Sequence, residues 1–355
     1  MHVTDVPSEK EWEPGQDLHP AATMRGALME QKLRPPAAEP VCPVCGTLAG
    51  VEPIERYGKY SLFACQFCDL YYWHPRAMPD ASWYEQMYGG RDTKLLPLEP
   101  GHNYFLADQL APKRGELLDI GCGTGNFLSA ARAAGYEVTG IELDGNAAVF
   151  AKEKIGLPRV FPMSLSEFAR QCPRKKFDVI SFFEVLEHQA VPQEFLENVC
   201  SCLLPNGCIA LSVPNRERWL TGPDVLDYPP NHFLRWNVSA LRKFLDAHGF
   251  EILTVQEQPA GVAHTALMIN MSLRTGLTSL FAGQASTSFR DVMQMAPEVA
   301  SAVLHAKPTL RQRAVQGLAR IKAAACYLAA VLLYPYVRLH GFKGTYLYCL
   351  ARAKN

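Results

Sequence analysis

Residues 117–126 read LLDIGCGTGN, and this stretch decides the fold. An apolar pair, Leu117 and Leu118, leads to an acid, Asp119. Glycines then fall at alternate positions, Gly121, Gly123 and Gly125, and an apolar-periodic segment, FLSAARAAG, follows. Apolar run, glycine turn and helical pattern in that order predict a buried strand, a tight turn and a helix start. Glycine has no Cβ, so a ligand can lie against bare backbone in such a turn. The spacing is G-x-G-x-G. A dinucleotide fingerprint needs its third glycine at position 126, where Asn126 stands. Asp119, just ahead of the turn, would repel a pyrophosphate and attract a cationic ligand.

Outward from this stretch, strand and helix signals alternate, which is the α/β pattern. Strands are predicted over 116–120, 136–143, 159–163, 177–183, 208–214, 250–258 and 344–354. Helices are predicted over 102–109, 126–134, 146–154, 166–171, 192–203 and 238–249. Pro205-Asn206-Gly207 reads as a stop signal after residue 203.

The chain has 355 residues, enough for one large domain and a smaller module. Lys+Arg and Asp+Glu both number 35, so there is no basic surplus to draw nucleic acid. Residues 1–40 are polar and proline-bearing and read as a disordered tail. The first residues, MHVTDVPSEKEWEP, carry no apolar leader. The expected location is cytoplasmic, with a peripheral position at the inner face of a membrane as the variant.

Eleven cysteines in so long a chain argue for thiols and metal ligands rather than a disulfide scaffold. Cys42 and Cys45 form one C-x2-C pair; Cys65 and Cys68 form a second, 19 residues on. That spacing suits a tetrahedral zinc site. Four thiolates leave no open position, so the zinc is expected to be structural. Tyr71, Tyr72, Trp73, Trp83, Tyr84 and Tyr88 follow the cysteines. They read either as packing that docks this module or as a substrate-stacking lid, and docking is the simpler reading.

Before the last strand lies a long interval of apolar helical patterns, 260–343. No acid occurs after Glu298, while lysines and arginines recur to the end. Residues 323–337 (AAACYLAAVLLYPYV) are uncharged, too few to span a bilayer and interrupted by Pro335. The region 300–343 is a candidate for peripheral membrane contact, and equally for a helical cap or a dimer interface.

D-x-G-x-G-x-G resembles motif I of the class I S-adenosylmethionine (SAM) methyltransferases. DIGCGTG, GIELD, FDVISFFEVLEH and LPNGCIALSVPN match four signature blocks of that family in order and spacing. EVLEH is similar to the branch containing ubiquinone-biosynthesis O-methyltransferases. The resemblance covers about residues 113–259. It implies a Rossmann-like α/β fold, a seven-stranded class I methyltransferase sheet with helices on both faces. Here that sheet carries a small N-terminal zinc ribbon and a helical insertion before the last strand. The implied division is a tail (1–40), a ribbon with aromatic linker (41–90), a SAM-binding domain (91–259), the insertion (260–343) and the last strand (344–355). A cysteine-rich front end on such a domain is similar to some bacterial nucleotide-sugar C-methyltransferases. Their second large C-terminal domain is not evident in this sequence, and their histidine-glutamate-histidine loop motif is not found in it.

SAM has a sulfonium, an amino-acid tail, a ribose and an adenine. Gly121, Gly123 and Gly125 offer backbone to the tail, with Asp119 near its ammonium. Glu142, at the end of the second strand, is placed to accept from the ribose hydroxyls. The resemblance puts Met163 and Ser164 beside adenine, and Phe183 and Glu184 beside the methionyl part. Glu184 reads equally as a helix-start acid. His188 and His232 are the candidate general bases or acceptor contacts, and either can instead serve only to order its loop. The expected partner is a small-molecule, sugar or lipid-linked methyl acceptor. An RNA methyltransferase and a non-catalytic SAM-binding scaffold are the alternatives. Nucleic acid is disfavoured because residues 41–70 hold only Arg56 and Lys59 as cations.

Overall fold

The computed structural model describes residues 40–48, 52–77, 79, 95, 97–219, 227–277 and 310–354. The expected tail at 1–40 lies outside these except for Pro40, as do Trp83, Tyr84 and Tyr88.

Two sheets organise the chain. The smaller begins with β1 (Glu55–Tyr57), β2 (Tyr60–Ala64) and β3 (Tyr71–His74). After α1 (Pro100–Ala107), the larger begins with β4 (Gly115–Ile120). Helix α2 (Asn126–Ala133), β5 (Tyr136–Ile141), α3 (Gly145–Glu153), β6 (Val160–Phe161) and α4 (Leu165–Gln171) follow. Then come β7 (Phe177–Phe183), α5 (Pro192–Cys202), β8 (Leu203–Pro214), β9 (Leu234–Arg235), α6 (Val238–Ala247) and β10 (Phe250–Pro259). Helices α7 (Val262–Leu277) and α8 (Leu310–Leu339) precede β11 (Lys343–Ala353).

The large sheet has the order β10-β11-β8-β7-β4-β5-β6. Strands β6, β5, β4, β7 and β8 are parallel, and β11 inserts antiparallel between β8 and β10. This is the seven-stranded arrangement that the sequence implies. Side chains alternate across the sheet, as strand geometry requires. Leu118, Ile180, Phe182, Ile209 and Leu211 feed one core layer. Leu117, Val179, Ala210, Tyr348 and Leu350 feed the other, with Phe105 of α1 and Phe127 of α2.

The stop signal Pro205-Asn206-Gly207 stands just past the end of α5 at Cys202, inside the start of β8, with Asn206 in a left-handed conformation (φ 61°). Two local expectations change. Pro335 does not break its helix; α8 runs through it to Leu339. Its buried row of Cys326, Ala330 and Val337 supplies packing against the loss of a helical hydrogen bond. Finally, Ile321–Leu339 is long and apolar enough to cross a membrane by length and composition. The sequence reading missed this because it counted only uninterrupted apolar residues, and Lys322 and Arg338 lie within the segment.

The cysteine module is not a separate body. Residues 39–355 form one compact unit. β9, from the loop after β8, adds to β3 and completes the small sheet, pairing Tyr71 with Arg235 and Tyr72 with Leu234. Tyr72 and Trp73 are fully buried in the layer that also holds Ile180 and Phe182. The Trp73 backbone N–H donates to the Phe233 carbonyl at 2.9 Å, and its indole Nε1–H donates to the Asp227 carbonyl at 3.0 Å. Asp69 accepts from Arg216 (2.9 Å) and Asn237 (2.7 Å). Tyr71, Tyr72 and Trp73 are therefore docking residues.

Replacing Trp73 with alanine should cost about 3–5 kcal/mol, the usual range for a large buried aromatic. Urea unfolding measures it; a loss below about 1 kcal/mol would contradict the docking role.

Candidate active site

The glycine stretch turns over the end of β4 and is clasped by the end of β5. Gly121 and Cys122 donate to the Ile141 carbonyl at 2.9 and 3.1 Å, and the Gly123 N–H donates to Glu142 Oε2 at 2.8 Å. The other Glu142 oxygen accepts from the Asp144 N–H at 2.9 Å. A Cβ on Gly121 would lie 2.9 Å from Val185 Cγ2, and its φ is +75°. Gly125, φ +80°, caps α2 without a side-chain partner, and a Cβ there would meet Leu157 at 2.5 Å. Both positions therefore demand glycine. Thr124 Oγ1, inside the loop, is buried without a hydrogen-bond partner among the described residues.

Acids collect around this loop. Asp119 is buried and accepts from Ser181 Oγ at 2.7 Å. Burial pushes its carboxyl up to about 8; the Ser181 bond opposes this, and the charges of Glu142 and Glu99 add to it. Burial also raises Glu142, against the pull of its two backbone donors. Glu184, beyond β7, is a third. It has φ +54°, accepts from Ser212 Oγ at 2.8 Å and is likewise pushed up to about 8 by burial. It does not start an α-helix: only a three-residue 3-10 turn, Leu186–His188, follows. Glu99, at the N-cap of α1, adds charge felt by both Asp119 and Glu184.

Of the remaining expected contacts, Ser164 is the N-cap of α4, in a reciprocal capping box with Glu167. Met163 is half-buried beside it, next to Phe161, whose carbonyl accepts from the Glu142 N–H at 3.1 Å. Phe183 is buried, edge-on to His102 (4.8 Å) and Phe127 (4.9 Å). Its ring therefore packs between α1 and α2.

The two histidines converge. Their rings lie 4.8 Å apart, at 73°. His188 Nδ1 is 2.5 Å from the Asn231 carbonyl, which fixes the proton on that nitrogen and leaves Nε2 with a lone pair. Burial, with the His232 ring beside it, lowers the His188 pKa to about 3, so the ring is neutral. His232 sits between two acids: Nδ1 is 3.6 Å from Asp227 Oδ1 and Nε2 is 3.8 Å from Glu187 Oε1. Asp227 also pairs with buried Arg218. Burial raises Asp227, but His232 and Arg218 outweigh it and hold the carboxyl below its usual range.

Glu187 is the residue that sequence reasoning passed over. It is fully buried, and neither carboxylate oxygen has a hydrogen-bond partner among the described residues. Burial and the charge of Glu184 drive its pKa strongly up. Ligand atoms of Glu187, His188 and His232 all lie within 4.8 Å of one another, close enough to hold a metal ion. The signal was present in Glu184-x-x-Glu187-His188, where two acids and a histidine stand at the end of a buried strand. Asp227 was legible only as an acid five residues before His232.

A second group that can hold a metal ion is Cys42, Cys45, Cys65 and Cys68. Cys42 and Cys68 sulfurs are 3.4 Å apart, as are those of Cys45 and Cys65. The hydrogen bond with Cys42 draws the Cys68 thiol down to about 5.

Residues 96–255 match the family described as a methyltransferase domain. The chain is similar to the ubiquinone biosynthesis O-methyltransferase of Haemophilus ducreyi, 32% identical over 143 residues, 38% of this chain and 60% of that protein. It is similar to the same-named protein of Rickettsia canadensis, 33% identical over 149 residues, 39% of this chain and 60% of that protein. The chain thus spans about three fifths of these relatives' length. Among solved structures, the [4+2]-cyclase SpnF aligns at 18% identity and a TM-score of 0.46, over 79% of this chain and 98% of that one.

The raised Asp119 carboxyl has a consequence for stability. It keeps in the folded chain a proton that the unfolded chain loses near pH 3.8. The stabilisation is complete below that pH and is lost as pH rises through about 8. Between pH 7 and 8.5 the Tm of the ligand-free protein should therefore fall, and Asp119→Asn should flatten part of that fall. Identical slopes would contradict the assignment.

Proposed function

We propose that this chain, whose residues 96–255 are a methyltransferase domain, transfers a methyl group from SAM to an oxygen of a small-molecule acceptor. The observation that carries this is the group of buried carboxyls around the glycine loop. Asp119, Glu142 and Glu184 come from three strand ends, around a glycine loop, and each is raised by burial. The charges acting on Asp119 and Glu142 are those of other carboxylates. A cation is the ligand that relieves such a site, and SAM carries both an ammonium and a sulfonium. The names of the relatives support oxygen as the accepting atom.

SAM, when bound, supplies a methyl group already activated on sulfur. The chain's own work is to bind, orient and handle a proton. Gly121, Gly123 and Gly125 present backbone to the amino-acid tail. Glu142 keeps lone pairs for the ribose hydroxyls beyond the two N–H bonds it already accepts. Met163 and Ser164 flank the adenine side, and Phe183 and Glu184 the methionyl side. Asp227 faces His232 Nδ1, which leaves Nε2 to take the acceptor's hydroxyl proton. His188 holds the loop at Asn231.

The orphaned Glu187 carboxylate favours a second role for the same residues. Glu187, His188 and His232 form a mixed oxygen and nitrogen donor set suited to a divalent cation, which would supply Lewis acidity at the acceptor oxygen. A chelator separates the two readings. Activity lost to chelation and restored by added metal supports the cation; activity indifferent to chelator supports His232 acting alone.

The cysteine cluster is assigned to structural zinc. A tetrahedral ion with Zn–S near 2.3 Å sets its sulfurs about 3.8 Å apart, and the four ligand atoms here lie within 4.8 Å of one another. Backbone N–H groups of Val44 and Cys68 point at Cys42 and Cys65 sulfurs (3.5 and 3.4 Å), as thiolates require. One zinc per chain is expected by elemental analysis. Cys68→Ser should lose it and lower the Tm; a metal-free, fully stable wild type would refute the assignment.

RNA gains no support. The ribbon's Arg56 bonds Ser61, and its Glu55 accepts from Tyr228 at 2.5 Å.

Calorimetry with SAM tests the main reading. Binding is expected, with Glu142→Ala weakening it by about 1–3 kcal/mol. A folded protein that binds no SAM would sink the proposal.

A further inference from the structure

From Ile321 to Leu339, helix α8 carries large apolar side chains well away from the row that it buries. Cys326, Ala330 and Val337 are buried along the row that faces α7. Ile321, Leu328, Leu332 and Leu339 are 68%, 68%, 81% and 83% exposed. At about 100° per residue these four fall within about 20° of one line, about 120–180° away from the buried row. A bare stripe of large aliphatic side chains, directed away from the protein, calls for an apolar neighbour.

The charges say which neighbour. From residue 299 to the end the chain has no acid. Lys322 and Arg338 bracket the apolar stretch at its two ends. By helical geometry both sit about 100° from the exposed line, one on each flank. A second copy of this face would bring cation against cation. A surface of anionic head groups over acyl chains matches both the stripe and its flanks.

We propose that α8 docks this protein on an anionic lipid bilayer, lying in the interface with Ile321, Leu328, Leu332 and Leu339 buried among the acyl chains. It lies on the bilayer rather than crossing it. Although Ile321–Leu339 is long enough to cross, its row of Cys326, Ala330 and Val337 is packed against α7, and the chain returns from it directly into β11 of the large sheet. Residues 278–309, which precede α8, lie outside the described residues.

The helix is rooted at the catalytic edge of the sheet. Just beyond α8, Phe342 stacks on Trp219 (4.5 Å, 21°), and the Trp219 N–H donates to the Lys343 carbonyl at 2.9 Å. Trp219 adjoins Arg218, the partner of Asp227. A docked α8 therefore sets the His232 loop near the bilayer. If the methyltransferase reading holds, the acceptor class is a molecule dissolved in or anchored to the membrane.

Flotation of the full chain with vesicles tests the docking independently of catalysis. Vesicles of phosphatidylcholine and phosphatidylglycerol in equal parts should carry the wild type up, and phosphatidylcholine alone should carry far less. Leu328→Glu with Leu332→Glu should cut flotation at least about tenfold while leaving Tm and SAM affinity unchanged. A wild type that stays down with the mixed vesicles overturns the proposal. So does a double variant that floats equally, equal flotation on phosphatidylcholine alone, or a wild-type dimer that the two substitutions turn into monomers by light scattering. SAM binding in the same preparation reports on the methyltransferase reading separately.

Discussion

The structure depends on what Trp73 does at the seam between the two sheets. One residue donates to the carbonyls of both Asp227 and Phe233 and is itself wholly buried. Those two residues flank His232. The Phe233 N–H in turn donates to the Glu187 carbonyl at 2.9 Å, which ties the same loop to the end of β7. The cysteine module thus holds the loop that brings His232 to Glu187 and His188. So small a module has little core of its own, and here it shares one with the large sheet.

The opposite half of the site is built on desolvated carboxyl groups, and burial holds the protons of Asp119 and Glu184 up to about pH 8. Parallel strands end together, and the carboxylates at their ends share a low-dielectric space. Glu142 bonds the Gly123 N–H, so the glycine turn and the acid of the next strand form one unit. Glu184 is held by Ser212 on β8 in a left-handed conformation, which points a carboxylate inward where a helix start would have pointed it at backbone N–H groups. Folding bears the cost of burying these acids, which hold their protons more tightly for it.

Most of the large sheet was legible because each of its elements is locally decided. The LLDIGCGTGN turn, the FDVISFF strand and the Asn237 cap of α6 carry their own signals of period, glycine and capping. The contacts that assemble the site are long-range and carried no such signal. Pairing of Tyr72 with Leu234 joins residues far apart in sequence, and nothing local in either segment announces it. Glu187 was passed over for a related reason. Its neighbours in the chain suggest an exposed helix start, and only the packing of His232 against it makes it a buried acid without a hydrogen bond among the described residues. Pro335 was read by its local rule, and tertiary packing overrode that rule.

A crystal structure with S-adenosylhomocysteine bound tests the central claim most directly. The account predicts the ligand across Gly121, Gly123 and Gly125, with its ribose hydroxyls on Glu142 and its sulfur directed toward Glu187 and His232. A ligand bound elsewhere, or one in this site whose ribose avoids Glu142 and whose sulfur faces away from the two histidines, would contradict it.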